Sequence, residues 1–343
     1  MQSGTSALAR IRARLDWLRE NRDSLVIDAD VHPSDREVLP ADHAARIEDP
    51  NYYHGRPLLG ENLIAKMDQA GVDMALCWQN PAVLAYGDDK QENAAALTGA
   101  NARISRLAEA HPARVIPAGW TDPKALGVAR AIELARRCVG EFAMPVVKMN
   151  PAQNAYPIDD PMVLETVDAI VGLGAVPAFH FGSDTGYTPV EGLKAVAARH
   201  PDHPVIGVHM GGGGGHFVEA EAIYQAARQA GLDCPNIFYA LSAKRDVHIE
   251  SALITYAAAG EPYMHNIAVA SDAPYGDMIW NFGGFRALFA ALQDGAGYGD
   301  PRLTADPGLF SDDMVQNFMG RNLADLVIAA DLRILDLAGQ DAA

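Results

Sequence analysis

From residue 26 onward the chain alternates short apolar runs with longer stretches in which apolar positions recur every three or four residues. A short apolar run bounded by turn residues reads as a buried strand, and a recurrence near 3.6 reads as an amphipathic helix. Strands are therefore expected at 26–29, 74–77, 115–118, 146–148, 176–180, 205–209, 237–240 and 267–271, eight in all. Helical patterns fall between them, at 61–69, 93–110, 124–137, 163–172, 190–199, 217–230 and 248–259. Strand, helix, strand repeated in this way calls for parallel strands joined by right-handed crossovers, and a closed (β/α)8 barrel, the TIM barrel of the α/β class, is the simplest arrangement. The alternative is an open doubly wound sheet. It would carry a nucleotide-binding glycine fingerprint after an early strand, and none follows Ala29.

Ahead of the first strand, residues 6–21 place Leu8, Ile11, Leu15 and Leu18 at helical spacing, with Arg10, Arg12, Arg14 and Arg19 at other positions. This predicts a helix that covers the body or a partner subunit. The connection 32–56, with Pro33, Pro40 and Pro50, is too irregular for a crossover helix and is expected to form a lid over the site. No shift of composition marks a boundary, so one domain is expected over 1–343: an N-terminal helix at 1–24, a distorted barrel at 25–330 and a tail at 331–343.

Composition narrows the partners. The 343 residues are 49% hydrophobic and 21% charged, as in an ordinary globular protein, and the formal charge is -17. That charge opposes binding to nucleic acid or to an anionic membrane, so a small molecule is the expected partner, and an anionic substrate would need local cations. Cys77, Cys138 and Cys234 are odd in number and far apart, which indicates neither a disulfide framework nor a thiolate zinc site. No stretch approaches the roughly 20 apolar residues that span a bilayer, and a cytoplasmic location is expected.

The barrel reading predicts where chemistry should collect, because catalytic groups in such barrels sit at the carboxyl ends of the strands. Asp30 and His32 end the first strand, Lys148 the fourth, His180 the fifth, His209 the sixth and Asp272 the eighth. In an extended segment Asp28, Asp30 and His32 share one face. Carboxylates and imidazoles so placed suit Zn²⁺ or a similar divalent ion. The competing explanation is a set of polar strand ends entering solvent, but histidines and aspartates at matching ends of separate strands are hard to assign to chance. Lys244 and Arg245, just beyond the seventh strand, are the best-placed cations for a substrate carboxylate. Trp78, Trp120, Tyr275 and Trp280 are candidates for an aromatic-accepting wall, with core or rim as the alternative. The glycines at 211–215 are not followed by Lys-Ser/Thr, which excludes a phosphate-binding P-loop and favours a pliant backbone beside a bulky or planar substrate.

Taken together, Asp28-Ala29-Asp30-Val31-His32, Lys148, Pro177-Ala178-Phe179-His180-Phe181-Gly182, Val208-His209-Met210-Gly211-Gly212 and Ser271-Asp272-Ala273-Pro274 resemble the amidohydrolase superfamily. The resemblance is to the amidohydrolase-2 branch, which includes aminocarboxymuconate semialdehyde decarboxylase, resorcylate decarboxylase and related hydrolases and lactonases. It runs from Val26 to the late segment Arg321-Asn322-Leu323-Ala324-Asp325-Leu326, which is similar to the family's closing helix. It implies one divalent ion, Zn²⁺ first and Mn²⁺ second, held by Asp30, His32, His180 and Asp272, with Lys148 not a ligand. It also implies His209 as acid or base beside a metal-activated water, Asp272 as the group that takes a proton, and a homodimer.

One departure bears on the reaction. Resorcylate-type decarboxylases carry a Glu beside the sixth-strand histidine and a Glu or His as first ligand, whereas this chain has Gly212 and Asp30. Without that Glu, His209 has less reason to hold a proton for carbon. The leading expectation is therefore metal-dependent hydrolysis of a lactone, ester or amide. Non-oxidative decarboxylation of a hydroxybenzoate- or muconate-type acid at the same site is the alternative, and a barrel that only binds a metal or small ligand is the third.

Overall fold

Among the described residues, 6–47, 56–182, 186–211, 221–243 and 246–340 of a computed structural model, nine short parallel strands form the ring. They are β1 (Ile27–Val31), β2 (Met74–Cys77), β3 (Val115–Pro117), β4 (Gly119–Trp120), β5 (Val146–Met149), β6 (Val176–Gly182), β7 (Val205–Gly211), β8 (Ile237–Leu241) and β9 (Ile267–Val269). Hydrogen bonding divides them into two arcs, β1-β2-β3 and β4 through β9. The arcs meet at both ends. β3 and β4 are halves of one extended segment interrupted at Ala118, whose N–H donates to the Cys77 carbonyl at 2.9 Å. At the other junction Val31 bridges Ala273, and the His32 N–H donates to the Ala273 carbonyl at 2.7 Å. Counting β3 and β4 as one stave gives the eight of the expected (β/α)8 barrel.

The apolar runs form these strands because both faces are covered, helices outside and side chains of the other staves inside. Every residue of β1 and β5 is buried, including Asp28, Asp30 and Lys148, which therefore have to find partners within the barrel. Helix Met278–Gln293 begins just past the last stave, where Asp277 accepts from the Trp280 N–H at 3.0 Å and caps the first turn.

Helix Ala7–Asn21 buries Ile11, Leu15 and Leu18 as their spacing predicts. It packs against the closing helix Asn322–Gln340, so the stretch 331–340, expected as a tail, is helical. There Arg14 Nε donates to Asp331 Oδ2 at 2.9 Å, with both side chains buried. A five-residue π-helical turn, Asn317–Arg321, precedes that helix and lays Gly320 under the start of β1. A Cβ at Gly320 would stand 2.0 Å from the Leu25 carbonyl oxygen, so the closing helix can seat only with glycine there. Gly320→Ala should lower stability by about 1–3 kcal/mol, as overpacking does. A thermal melt indistinguishable from wild type would contradict this close approach.

In the 32–56 connection the described part holds a 3-10 turn, Arg36–Val38, and a helical turn, Ala41–Ala44, with Ser34 bridging Leu59. Residues 48–55 lie outside the described residues. Among the described residues no helix is long and apolar enough to cross a membrane.

Candidate metal centre

At the carboxyl end of the barrel, Asp30, His32 and Asp272 each offer a donor atom, and the three donors lie within 4.8 Å of one another. His32 Nε2 is 3.2 Å from Asp30 Oδ1 and 3.7 Å from Asp272 Oδ1. Ligand atoms arranged tetrahedrally about an ion at about 2.1 Å stand roughly 3.4 Å apart, so these spacings match a shared cation. The chemistry of the donors agrees. His32 Nδ1 faces the Gln79 carbonyl at 2.9 Å, which can only accept, so Nδ1 carries the hydrogen and the neutral ring turns its lone pair on Nε2 toward Asp30. Burial, with Lys148 adding to it, holds the His32 imidazole below its ordinary range and keeps that ring neutral. A lone pair facing a carboxylate oxygen is repulsive until a proton or a cation lies between them.

The two carboxylates divide their roles. Burial would raise Asp30, but the Lys148 ammonium, His32 and His209 outweigh it and hold its carboxyl well below the usual range. Burial pushes Asp272 well above that range, and the charge on Asp30 adds to the effect. Asp30 is thus the carboxylate of the pair whose surroundings favour the charged form.

Lys148 is the buried counterion. Its Nζ is 3.4 Å from Asp30 Oδ1 and lies over the rings of Trp78 and Trp120, 4.7 and 5.1 Å from their centroids. Asp28, on the same strand face, turns to the last stave: its Oδ1 accepts from the Ser271 N–H at 2.8 Å, and its Oδ2 accepts from the Ser271 hydroxyl. Burial raises its carboxyl to about 7 against the pull of those Ser271 bonds. The pairing of Lys148 is thus with Asp30, and Asp28 anchors the residue next to Asp272.

His209 reaches the same carboxylate from the opposite side. Its Nδ1 is 2.8 Å from Ser242 Oγ, and that hydroxyl donates to Asp30 Oδ2 at 3.2 Å. His209 and Asp272 both have left-handed backbone, φ 78° and 57°, which costs about 1–3 kcal/mol for a residue with a side chain and persists only where the surroundings over-determine it. His180 stands beside His209, with ring centroids 4.6 Å apart in an edge arrangement, and outside the group of three close donors.

Around the donors, the rings of Trp120 and Tyr275 meet that of His32 in edge arrangements, with centroids 6.1 and 5.8 Å apart. The Tyr275 hydroxyl donates to Asn80 Oδ1 at 2.6 Å. Trp280, expected in the pocket wall, is 75% exposed. Lys244, Arg245 and Gly212 to Gly215 lie outside the described residues. Ser242 is not among the residues expected at the site, although it is the first polar residue after the apolar run of β8 and so holds the position that marks the others. A serine has no ligand chemistry to draw attention to it.

A family profile described as amidohydrolase matches residues 27–277. No curated protein matches the chain significantly in sequence. Among solved structures, the chain is similar to the 5-carboxyvanillate decarboxylase of Novosphingobium aromaticivorans, complexed with manganese and 4-hydroxy-3-methoxy-5-nitrobenzoic acid. The identity is 15%, the TM-score 0.64, and 90% of this chain and 97% of that one are covered. It is similar to a 2,6-dihydroxybenzoate decarboxylase from Rhizobium at 15% identity and TM-score 0.59, covering 88% and 98%. A probable 2-pyrone-4,6-dicarboxylic acid hydrolase from Acinetobacter baumannii, with citric acid bound, is similar at 13% identity and TM-score 0.55, again covering 88% and 98%. At these identities the likeness is one of fold.

Proposed function

The chain belongs to the amidohydrolase family, and from that premise we propose that it is a metal-dependent, non-oxidative decarboxylase of a small hydroxylated aromatic or enolic carboxylic acid. The observation that carries this reading is the line from Asp30 through Ser242 to His209. Hydrolysis led the sequence reading because His209 lacks a neighbouring Glu. Asp30 Oδ2, 3.8 Å from His209 Nδ1 with the Ser242 hydroxyl bridging them, supplies a carboxylate from the first stave instead. An anion so placed stabilises positive charge on the ring and lets it hold a proton for carbon. The decarboxylases of similar fold add support.

Asp30 Oδ1, His32 Nε2 and Asp272 Oδ1 would hold the ion, Zn²⁺ or Mn²⁺, and His180 is proposed as a further donor. When bound, the ion supplies Lewis-acid stabilisation for the carboxylate of the substrate and an adjacent oxygen. Lys148, buried against Asp30, keeps the donor set from carrying excess negative charge. The aromatic rings of Trp120 and Tyr275 beside His32 suit a planar substrate. In the reaction the bond between ring carbon and carboxylate breaks and CO2 leaves. Its electron pair stays on the carbon, and the proton held at His209 Nε2 is transferred there; solvent then returns a proton to the imidazole. Asp28 holds Ser271 and so the backbone that carries Asp272. Trp280 is proposed at the rim, and Lys244 and Arg245 as cations for a second acidic group.

Hydrolysis is the second reading, favoured by the likeness to the probable pyrone hydrolase. A panel of hydroxybenzoic acids, muconate-type acids and cyclic lactones, followed for CO2 and for acid release with Mn²⁺ or Zn²⁺ added, decides between them. CO2 should come from at least one acid of the panel. Ring opening of a lactone with every acid untouched would overturn the decarboxylase reading.

A further inference from the structure

We infer that Ser242 is a positioning residue that fixes the tautomer of His209, so that Nδ1 always carries a hydrogen and Nε2 is the nitrogen that exchanges a proton. A serine hydroxyl has one hydrogen to give. Ser242 Oγ lies 3.2 Å from Asp30 Oδ2, an acceptor that cannot donate, so the hydroxyl hydrogen is directed there. The same oxygen is 2.8 Å from His209 Nδ1 and can then only accept, which requires the hydrogen to be on Nδ1. Direct contact does not replace the bridge, because Nδ1 and Asp30 Oδ2 are 3.8 Å apart, beyond hydrogen-bond reach.

The three groups are 1%, 2% and 0% exposed for Ser242, His209 and Asp30, so bulk water does not compete for these bonds. The backbone holds both ends of the bridge in unusual turns: His209 has φ 78°, and Ala243, next to Ser242, has φ 53°. Free imidazole exchanges its hydrogen between the two nitrogens, and catalysis needs the right one. The direction of proton transfer rests on the decarboxylase reading, but the tautomer does not.

The test uses protein labelled with ¹⁵N-histidine and supplied with Zn²⁺, which is diamagnetic, at a pH where the ring is neutral. The His209 signals are assigned by their loss in His209→Asn. Two-bond ¹⁵N–¹H correlations should show the Nδ1–H form in wild type and in Ser242→Thr, which retains a hydroxyl. In Ser242→Ala the Nε2–H form should gain intensity at its expense. The Nε2–H form in wild type, or an unchanged pattern in Ser242→Ala, would overturn the proposal, and the wild-type spectrum decides alone where the alanine variant does not fold. On any acid found to be turned over, Ser242→Ala should lower kcat by about 10- to 100-fold, with KM within about twofold and recovery in Ser242→Thr. Should the decarboxylase reading fail, no CO2 is released by any variant and the tautomer result still stands.

Discussion

Asparagine at position 30 costs the protein both its divalent ion and several kcal/mol of stability. Asp30 is fully buried, and its two oxygens serve different neighbours: Oδ1 faces His32 Nε2 and Lys148 Nζ, while Oδ2 accepts from Ser242. Neutralising it leaves the Lys148 ammonium, 1% exposed, without its carboxylate. Removing one partner of a buried ion pair typically costs about 3–5 kcal/mol, because the remaining charge is still out of water. The two indole faces at 4.7 and 5.1 Å offset part of that. A fall in Tm of roughly 5–10 °C is expected, with metal content well under half that of wild type. The double variant Asp30→Asn, Lys148→Met separates the two losses: it should recover most of the stability and none of the metal. Wild-type Tm and metal content in the single variant would refute the role given to Asp30.

The second large effect is kinetic. His209→Asn should lower turnover of a substrate found in the panel by about 10² to 10⁴-fold, the usual worth of a placed acid or base, and leave the metal content as it is. His209 meets Asp30 through Ser242 and at the oxygen turned away from His32, which is why the ion should survive the change. Metal analysis and steady-state rates on the same preparation measure both halves. Near-full activity would return His209 to a packing role beside His180.

Much of this was readable along the chain, and the reasons differ by element. The staves show because a strand covered on both faces has to be apolar, so the runs stand out against the helices, except for the two-residue β4, which is too short to make one. The acids and histidines at their ends show because ligand chemistry is rare at such positions. What did not show is which side chain meets which. Strand alternation puts Asp28 and Asp30 on one face and does not say which of them meets Lys148. In the fold Asp28 meets Ser271 of the last stave and Asp30 meets the lysine. The carboxylate near His209 does not lie beside it in sequence, at Gly212, but comes from the first stave by way of Ser242, just past β8. Contacts between residues far apart in the chain are made by the closed ring, and no local pattern contains them.

The ring also has a weak joint. Among the described residues β1 and β9 share no ladder, and they meet through the Val31–Ala273 bridge and the His32 amide. Asp30 and His32 lie on one side of that joint and Asp272 on the other. The first and last staves come from opposite ends of the barrel sequence, and bringing such distant segments together carries a loop-closure cost in chain entropy. An ion held by these three residues would act as a rivet where the backbone bonding is thinnest. Anything that binds the folded form alone stabilises it by mass action, so ring closure would rise and fall with the free ion concentration. Scarcity of the ion would then loosen the scaffold as well as idle the chemistry, and the two losses would be a single event.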